Sequence, residues 1–189
     1  MFQNVNNTIS SLFCGCNCFR WPLRNRTGRY VRLKTLDTVT LNENQMGINC
    51  VLVKSGRRLC GSGIALANAP LLQEKSYFEI KIQTDGIWGV GISQEDINLD
   101  QVPLGEDEKS WVLRSDSRVY HKGDVLFSLK ERVEEGDIIS IAYDQVELSI
   151  FINGNSMSQS VNGIKGEMFP ALYVLHKAFF IIPNCDTKL

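Results

Sequence analysis

Three features of the sequence predict an all-β fold, a β-sandwich of two antiparallel sheets preceded by a short N-terminal tail. Past residue 36 short β-like runs follow one another closely: INCVLVK, SYFEIKI, GIWGVGI, DIISIAY, VELSIFI, MFPALYV and KAFFII. Gly, Asn, Asp and Pro punctuate them, as they do the strands of sandwiches and barrels. No segment sustains a helical period of apolar residues over three turns.

The elements can be justified in chain order. INCVLVK leads into KSGRR, an expected exposed turn carrying Arg57 and Arg58, and Cys60-Gly61-Ser62-Gly63 is read as a further turn. SYFEIKI is a strand, and so is GIWGVGI, in which Gly86, Gly89 and Gly91 flank Trp88. Strand glycines mark places where a backbone or a large ring approaches closely, so Trp88 is expected to anchor the core. The glycine spacing is a poor nucleotide loop, because no helix follows to present its N-terminus to a phosphate. Cys60-Gly61-Ser62-Gly63 likewise lacks the third glycine of a dinucleotide fingerprint.

The segment GDIISIAYDQVELSIFINGNSM, Gly136 to Met157, reads as a three-stranded meander. With Asp144-Gln145 as a two-residue loop, Tyr143 opposes Val146, Ile141 opposes Leu148 and Ile139 opposes Ile150, all on one apolar face. The other face, with Ile138, Ser140, Ala142, Glu147, Ser149 and Phe151, is mixed. Asn153-Gly154 tolerates the positive φ of a type I′ turn and returns the chain so that Met157 faces Ile150. The Asp and Glu of this segment are turn and solvent-face residues. MFPALYV is a further strand; KAFFII can pair as the last, although Pro183 cannot donate to a ladder.

The series SYFEIKI, GIWGVGI, SWVLRSDSRVYHKGD, EEGDIISIAYDQVELSIFINGNSM and MFPALYV resembles the SPRY domain, the core of the larger B30.2 module. The family's W-G-V-G, D-x-x-x-Y, G-D-x-I-x-x-x-x-D, L-S-F-x-x-N-G and Y-P elements recur in order over roughly residues 37–175, with Ile150 in place of the Phe and Phe169 in place of the Tyr. The resemblance implies two antiparallel sheets whose end loops recognise short peptide segments of partner proteins. It also implies that the loop after the Y-P strand contributes an apolar residue followed by an aromatic or similar group, here Leu175 and His176. Arg57 and Arg58 would add pairing to an acidic peptide if they lie at that end. The chain after MFPALYV is shorter than is usual in the family, which bears on how the sandwich closes.

Composition sets the other bounds. In 189 residues, 43% are hydrophobic and 22% charged, as in an ordinary soluble globular chain. The net charge of −1 argues against nucleic acid as a partner. The distribution is uneven: residues 1–36 hold Arg20, Arg24, Arg26, Arg29, Arg32 and Lys34 and no carboxylate, which leaves 14 basic and 21 acidic residues, a net −7, for residues 37–189. The chain therefore divides into a basic, Cys-rich N-terminal tail, 1–36, and a sandwich domain, 37–189. No apolar run approaches the roughly 20 residues that span a bilayer, and MFQNVNNTISSLF lacks the pattern of a secretory signal, so a cytosolic protein is expected. The sequons at Asn6 and Asn25 then carry no glycan. Six cysteines, three crowded at Cys14, Cys16 and Cys18 and the others at Cys50, Cys60 and Cys185, do not form a disulfide framework.

Chemistry finds little support. Cys14, Cys16 and Cys18 have one-residue gaps and no nearby fourth ligand, so no metal site is expected, and no cofactor motif is present. His121 and His176 are the only candidates for a Ser/His or Cys/His pair; His121 falls in VYHKGD, a predicted turn, and His176 just past the strand MFPALYV, so each is read as a surface residue. Glu131, Glu134, Glu135 and Asp137 form a charged loop before a strand rather than glycosidase carboxylates. The expected function is a non-enzymatic protein-interaction module. The competing reading is a carbohydrate-binding or hydrolytic lectin-like sandwich, which would show aromatic rings on an exposed concave face. In the tail, clustered thiols beside Phe13, Phe19, Trp21 and the basic residues supply two signals for peripheral membrane attachment, S-acylation and a polybasic patch.

Overall fold

The computed structural model describes residues 39–175 and the backbone of 179–181, and every regular element among them is a strand. In chain order these are β1 Leu41–Met46, β2 Cys50–Val53, β3 Arg58–Gly61, β4 Gly63–Ala67, β5 Ser76–Thr84, β6 Ile87–Ser93 and β7 Ser110–Arg114. Then follow β8 Arg118–His121, β9 Asp124–Ser128, β10 Ile138–Tyr143, β11 Glu147–Ile152, β12 Asn155–Asn162, β13 Phe169–Leu175 and β14 Phe179–Ile181. They form two seven-stranded antiparallel sheets: sheet 1 in the order β1-β4-β13-β6-β7-β8-β9, and sheet 2 in the order β12-β11-β10-β5-β14-β3-β2.

Period-2 alternation explains the layering. Trp88, Val90 and Ile92 of β6, with Leu172 and Val174 of β13, meet Ile80, Ile82, Ile139, Ile141, Leu148 and Ile150 of sheet 2 in the main core. The opposite face of sheet 1 is also covered. Ile64, Leu66, Val112, Phe169, Ala171 and Tyr173 pack under Leu104, Ile97, Leu99 and Val102 of the β6–β7 connection. β4 and β13 are consequently apolar on both faces, which gives IALA and FPALYV their continuous apolar character. The close approaches expected in GIWGVGI are present: a Cβ on Gly89 would lie 2.1 Å from Tyr173 Cε1, and one on Gly91 2.0 Å from the Trp111 carbonyl oxygen. Trp88, 1% exposed, is the core anchor.

The β10–β11 hairpin departs from the expected register by two residues. Tyr143 pairs with Leu148, Ile141 with Ile150 and Ile139 with Ile152. The turn is centred on Gln145-Val146, because Asp144 acts as its first residue: its carboxylate accepts the Glu147 N–H at 2.8 Å and the Val146 N–H at 3.2 Å. Those donors, chiefly that of Glu147, hold the Asp144 carboxyl below the usual carboxylate range. Gln145 takes φ +73°, and its side-chain amide donates to the carbonyls of Leu71 and Gln73 at 2.6 and 2.8 Å. Val146 is consequently 58% exposed instead of opposing Tyr143. A slip of two leaves every side chain on its predicted face.

The second turn is as expected, with Asn153 and Gly154 at φ +51° and +80°. The β11–β12 register then shifts between Phe151 and Ser149, so Met157 falls in that irregularity and packs half-buried on the core rather than in a regular pair with Ile150. Cys60-Gly61-Ser62-Gly63 is more than a turn: its ends belong to β3 and β4, in different sheets, so the segment is a corner. A Cβ on Gly61, at φ +95°, would lie 2.2 Å from the Asn49 carbonyl oxygen. The last strand does pair. β14 inserts between β5 and β3, with Phe180 opposite Ile82 and Leu59, and so ties the β2–β3 hairpin into sheet 2. Pro183 lies outside the described residues.

Candidate functional site

Leu175, the last residue of β13, is half-buried, and it pairs across the ladder with Ile87, the first residue of β6, which is 47% exposed. Alternation puts both on the face of sheet 1 that carries Tyr173 and the glycines, at the end of the strands. Tyr173 is buried beside them, and burial raises its phenol pKa far above the ordinary value. The result is an aliphatic step backed by a buried ring.

A polar ladder runs alongside. Arg114, paired with Gly89, donates through Nε and Nη2 to the Leu104 carbonyl at 2.9 and 2.8 Å and through Nη2 to Glu106 Oε1 at 2.7 Å. Its guanidinium lies 3.9 Å from the centroid of the Tyr120 ring, and the Tyr120 hydroxyl donates to Asp116 Oδ2 at 2.6 Å. A fork of this kind suits Arg and not Lys. It clamps the β6–β7 connection over the second core. The surface can therefore bury an apolar side chain on Ile87 and Leu175 beside a fixed set of charges, a capacity for binding rather than bond-making.

The structure does not bring Arg57 and Arg58 to this place. Leu175 adjoins the start of β6, which follows Thr84 at the end of β5, and Thr84 pairs with Phe179. Arg58 pairs with Ile181, which lies opposite Lys81, three residues back along β5, and the β2–β3 tip continues away from the Leu175 end. Both arginines are half-buried, whereas an exposed turn was expected, because Arg58 is a strand residue and Gly56 packs against Thr40 and Leu41. His176, Cys14, Cys16 and Cys18 lie outside the described residues.

The remaining candidates have structural positions. The His121 ring stacks on Trp111 with centroids 4.3 Å apart, and its Nδ1 is 2.9 Å from the Ser110 carbonyl oxygen. Asp137 accepts the Glu134 N–H and the Asn153 side-chain amide, both at 2.8 Å, which orders the charged loop and joins it to the second turn. Glu135 accepts the Asp85 N–H at 3.4 Å. Cys50 and Cys60 are free thiols on neighbouring strands whose register, Cys50 to Gly61 and Val51 to Cys60, puts them on opposite faces. Among the described residues the least buried aromatic side chains, Tyr77, Trp111, Tyr120, Phe127 and Phe151, are half-buried and lie on five different strands.

Ile87 and the joining of Arg114 to Tyr120 and Asp116 escape sequence reasoning. Ile87 left one trace: it is out of phase with Trp88, Val90 and Ile92, which marks a face other than the main core. The ladder left a partial one: Asp116 and Tyr120 are the D-x-x-x-Y of the family pattern, but their partnership with Arg114 and Glu106 is made by the β6–β7 connection and the β7–β8 hairpin.

Comparison with known proteins agrees with this architecture. The SPRY domain family pattern matches residues 75–182. The chain is 44% identical over 167 residues to SPRY domain-containing protein 7 of Gallus gallus, covering 87% of this chain and 83% of that protein, and 43% identical over 167 residues, with the same coverage, to its Homo sapiens counterpart. Among solved structures it is similar in fold to the SPRY domain of human HERC1, with a TM-score of 0.65, 16% identity and coverage of 78% of this chain and 99% of that one. It is likewise similar to the TRIM65 PSpry domain, with a TM-score of 0.64, 11% identity and coverage of 78% and 90%. With two antiparallel sheets in place, the signature strands in order and relatives matched along most of its length, the chain belongs to the SPRY domain family.

Proposed function

We propose that this protein recognises a short peptide segment of a partner protein at the end of sheet 1 formed by Leu175 and Ile87, with His176 next in the chain. SPRY domains are generally protein-interaction modules, and the observation that carries the location is the pair itself. Ile87 stays 47% exposed directly opposite Leu175, beside the Arg114–Tyr120 clamp. An apolar anchor of the peptide covers that step, and such anchors dominate interface energetics. The test is selection of a displayed random-peptide library on the purified full-length protein. The expected result is a common motif with an apolar residue, whose binding Leu175→Asp or Ile87→Asp weakens at least about tenfold, the cost of placing a charge against an apolar anchor. Either no enriched motif, or equal binding by both variants with an unchanged circular dichroism spectrum, would remove the site.

The tail gives this module a place of action. The reading is a cytosolic protein held at membranes through acylated Cys14, Cys16 and Cys18, supported by their crowding beside six basic residues in 1–36. In cell fractionation, serine at all three cysteines is expected to move the protein from the membrane to the soluble fraction and to abolish a hydroxylamine-sensitive thioester. A wild-type protein that is wholly soluble and without thioester defeats the idea.

A further inference from the structure

The β2–β3 hairpin differs in charge from the domain that carries it. Residues 48–61 contain Lys54, Arg57 and Arg58 and no carboxylate, whereas residues 37–189 together hold 14 basic and 21 acidic residues. Register puts Val53 opposite Arg58 and Val51 opposite Cys60, on one face of sheet 2. Ile181 of β14 is in register with both Arg58 and Lys81, so Lys81 joins the same row. Val51 and Val53 are 53% and 38% exposed, Lys54 and Lys81 are exposed, and Arg57 and Arg58 are half-buried. Glu79, on the same face of β5, accepts the hydroxyls of Tyr77 and, at 3.3 Å, Ser140.

The chain also enters the sandwich at this hairpin. The Leu41 N–H donates to the Gly56 carbonyl at 2.9 Å, and a Cβ on Gly56 would lie 2.8 Å from the Leu41 carbonyl oxygen and 3.2 Å from the Thr40 Cβ.

We propose that the β2–β3 hairpin and the adjoining face of sheet 2 form a docking surface for an anionic phospholipid bilayer. Two projecting valines enter the interfacial zone while Lys54, Lys81 and the arginines meet lipid phosphates, a combination of apolar area and positive charge that holds peripheral proteins. The acidic remainder of the domain is repelled by the same surface, which orients the sandwich with this hairpin toward the bilayer. A second copy of the chain is a poor occupant. β2 has four residues, with two exposed valines, against the roughly 800 Å² per partner that a stable interface buries. The proposal requires neither acylation nor peptide binding by Leu175.

Co-sedimentation of purified, unacylated full-length protein with phosphatidylcholine vesicles, with and without phosphatidylserine, tests it. Lys54→Glu with Lys81→Glu changes only exposed side chains, so melting temperature should hold while affinity for the phosphatidylserine vesicles falls about tenfold or more. Val51→Ser with Val53→Ser should weaken the same binding. Lys122→Glu with Lys130→Glu, near the β9 edge at the other side of the sheets, carries the same charge change and should leave it intact. Wild-type binding by the hairpin variant would assign any affinity to the tail alone and overturn the proposal. So would an equal loss in the β9-side variant, absence of wild-type binding to phosphatidylserine vesicles, or a hairpin variant that loses binding to a polyglutamate peptide but not to vesicles.

Discussion

Gly91→Ala is expected to leave little or no folded domain. The added Cβ would lie 2.0 Å from the Trp111 carbonyl oxygen and 2.8 Å from the Val112 Cα, both backbone atoms of β7. No rotamer change relieves that contact; β6 and β7 would have to separate at the pairs Gly91–Val112 and Ile92–Trp111, in the centre of the ladder. A forced backbone shift in a packed sheet belongs with the largest single-residue effects, more than about 4 kcal/mol. Gly89→Ala provides the contrast, since its nearest neighbours are side-chain atoms, Tyr173 Cε1 at 2.1 Å and Val112 Cγ1 at 2.8 Å. Urea unfolding should show that Tyr173→Leu recovers part of the stability lost in Gly89→Ala and none of that lost in Gly91→Ala. A cooperative transition for Gly91→Ala near the wild-type midpoint would contradict the close approach.

Trp88→Ala should cost about 3–5 kcal/mol, the range for deleting a buried large aromatic side chain. Trp88 is 1% exposed, and it lies where β6 faces the strands of sheet 2 across the main core. Val174, its partner across the ladder, and other members of that core such as Leu113 and Ile82 belong to strands already paired on both sides, so they cannot collapse into the space. The midpoint in urea should fall with an unchanged slope if two-state unfolding persists. Trp88→Phe, which keeps much of the volume, should lose less. Equal stability of Trp88→Ala and wild type would mean that the ring is not a core anchor.

Much of the architecture was legible because its causes are local. SYFEIKI and DIISIAY alternate every second residue, so each could be assigned to a strand and a face without knowing its neighbours. Asn153-Gly154 declared a turn through backbone conformations that its residues tolerate, and both take positive φ. GIWGVGI was readable as a close approach because glycine in a strand has few other reasons to be there. Met157 shows the limit: its inward face was predictable, its irregular pairing was not.

What the amino-acid order determined by itself is therefore the all-β class, the strands of the meander and the face each side chain takes, since alternation and turn chemistry act within a few residues. Only the tertiary structure decided the register of β10–β11, where Gln145 reaches the carbonyls of Leu71 and Gln73, separated from it by 74 and 72 positions. It also decided which surfaces share an end. Leu175 meets Ile87, and Arg57 and Arg58 sit instead toward the hairpin tip where the chain enters, because β14 inserts between β5 and β3 and sets their alignment. Such neighbourhoods depend on strand order across two sheets, which is selected by how the whole core packs and leaves no mark in any one segment.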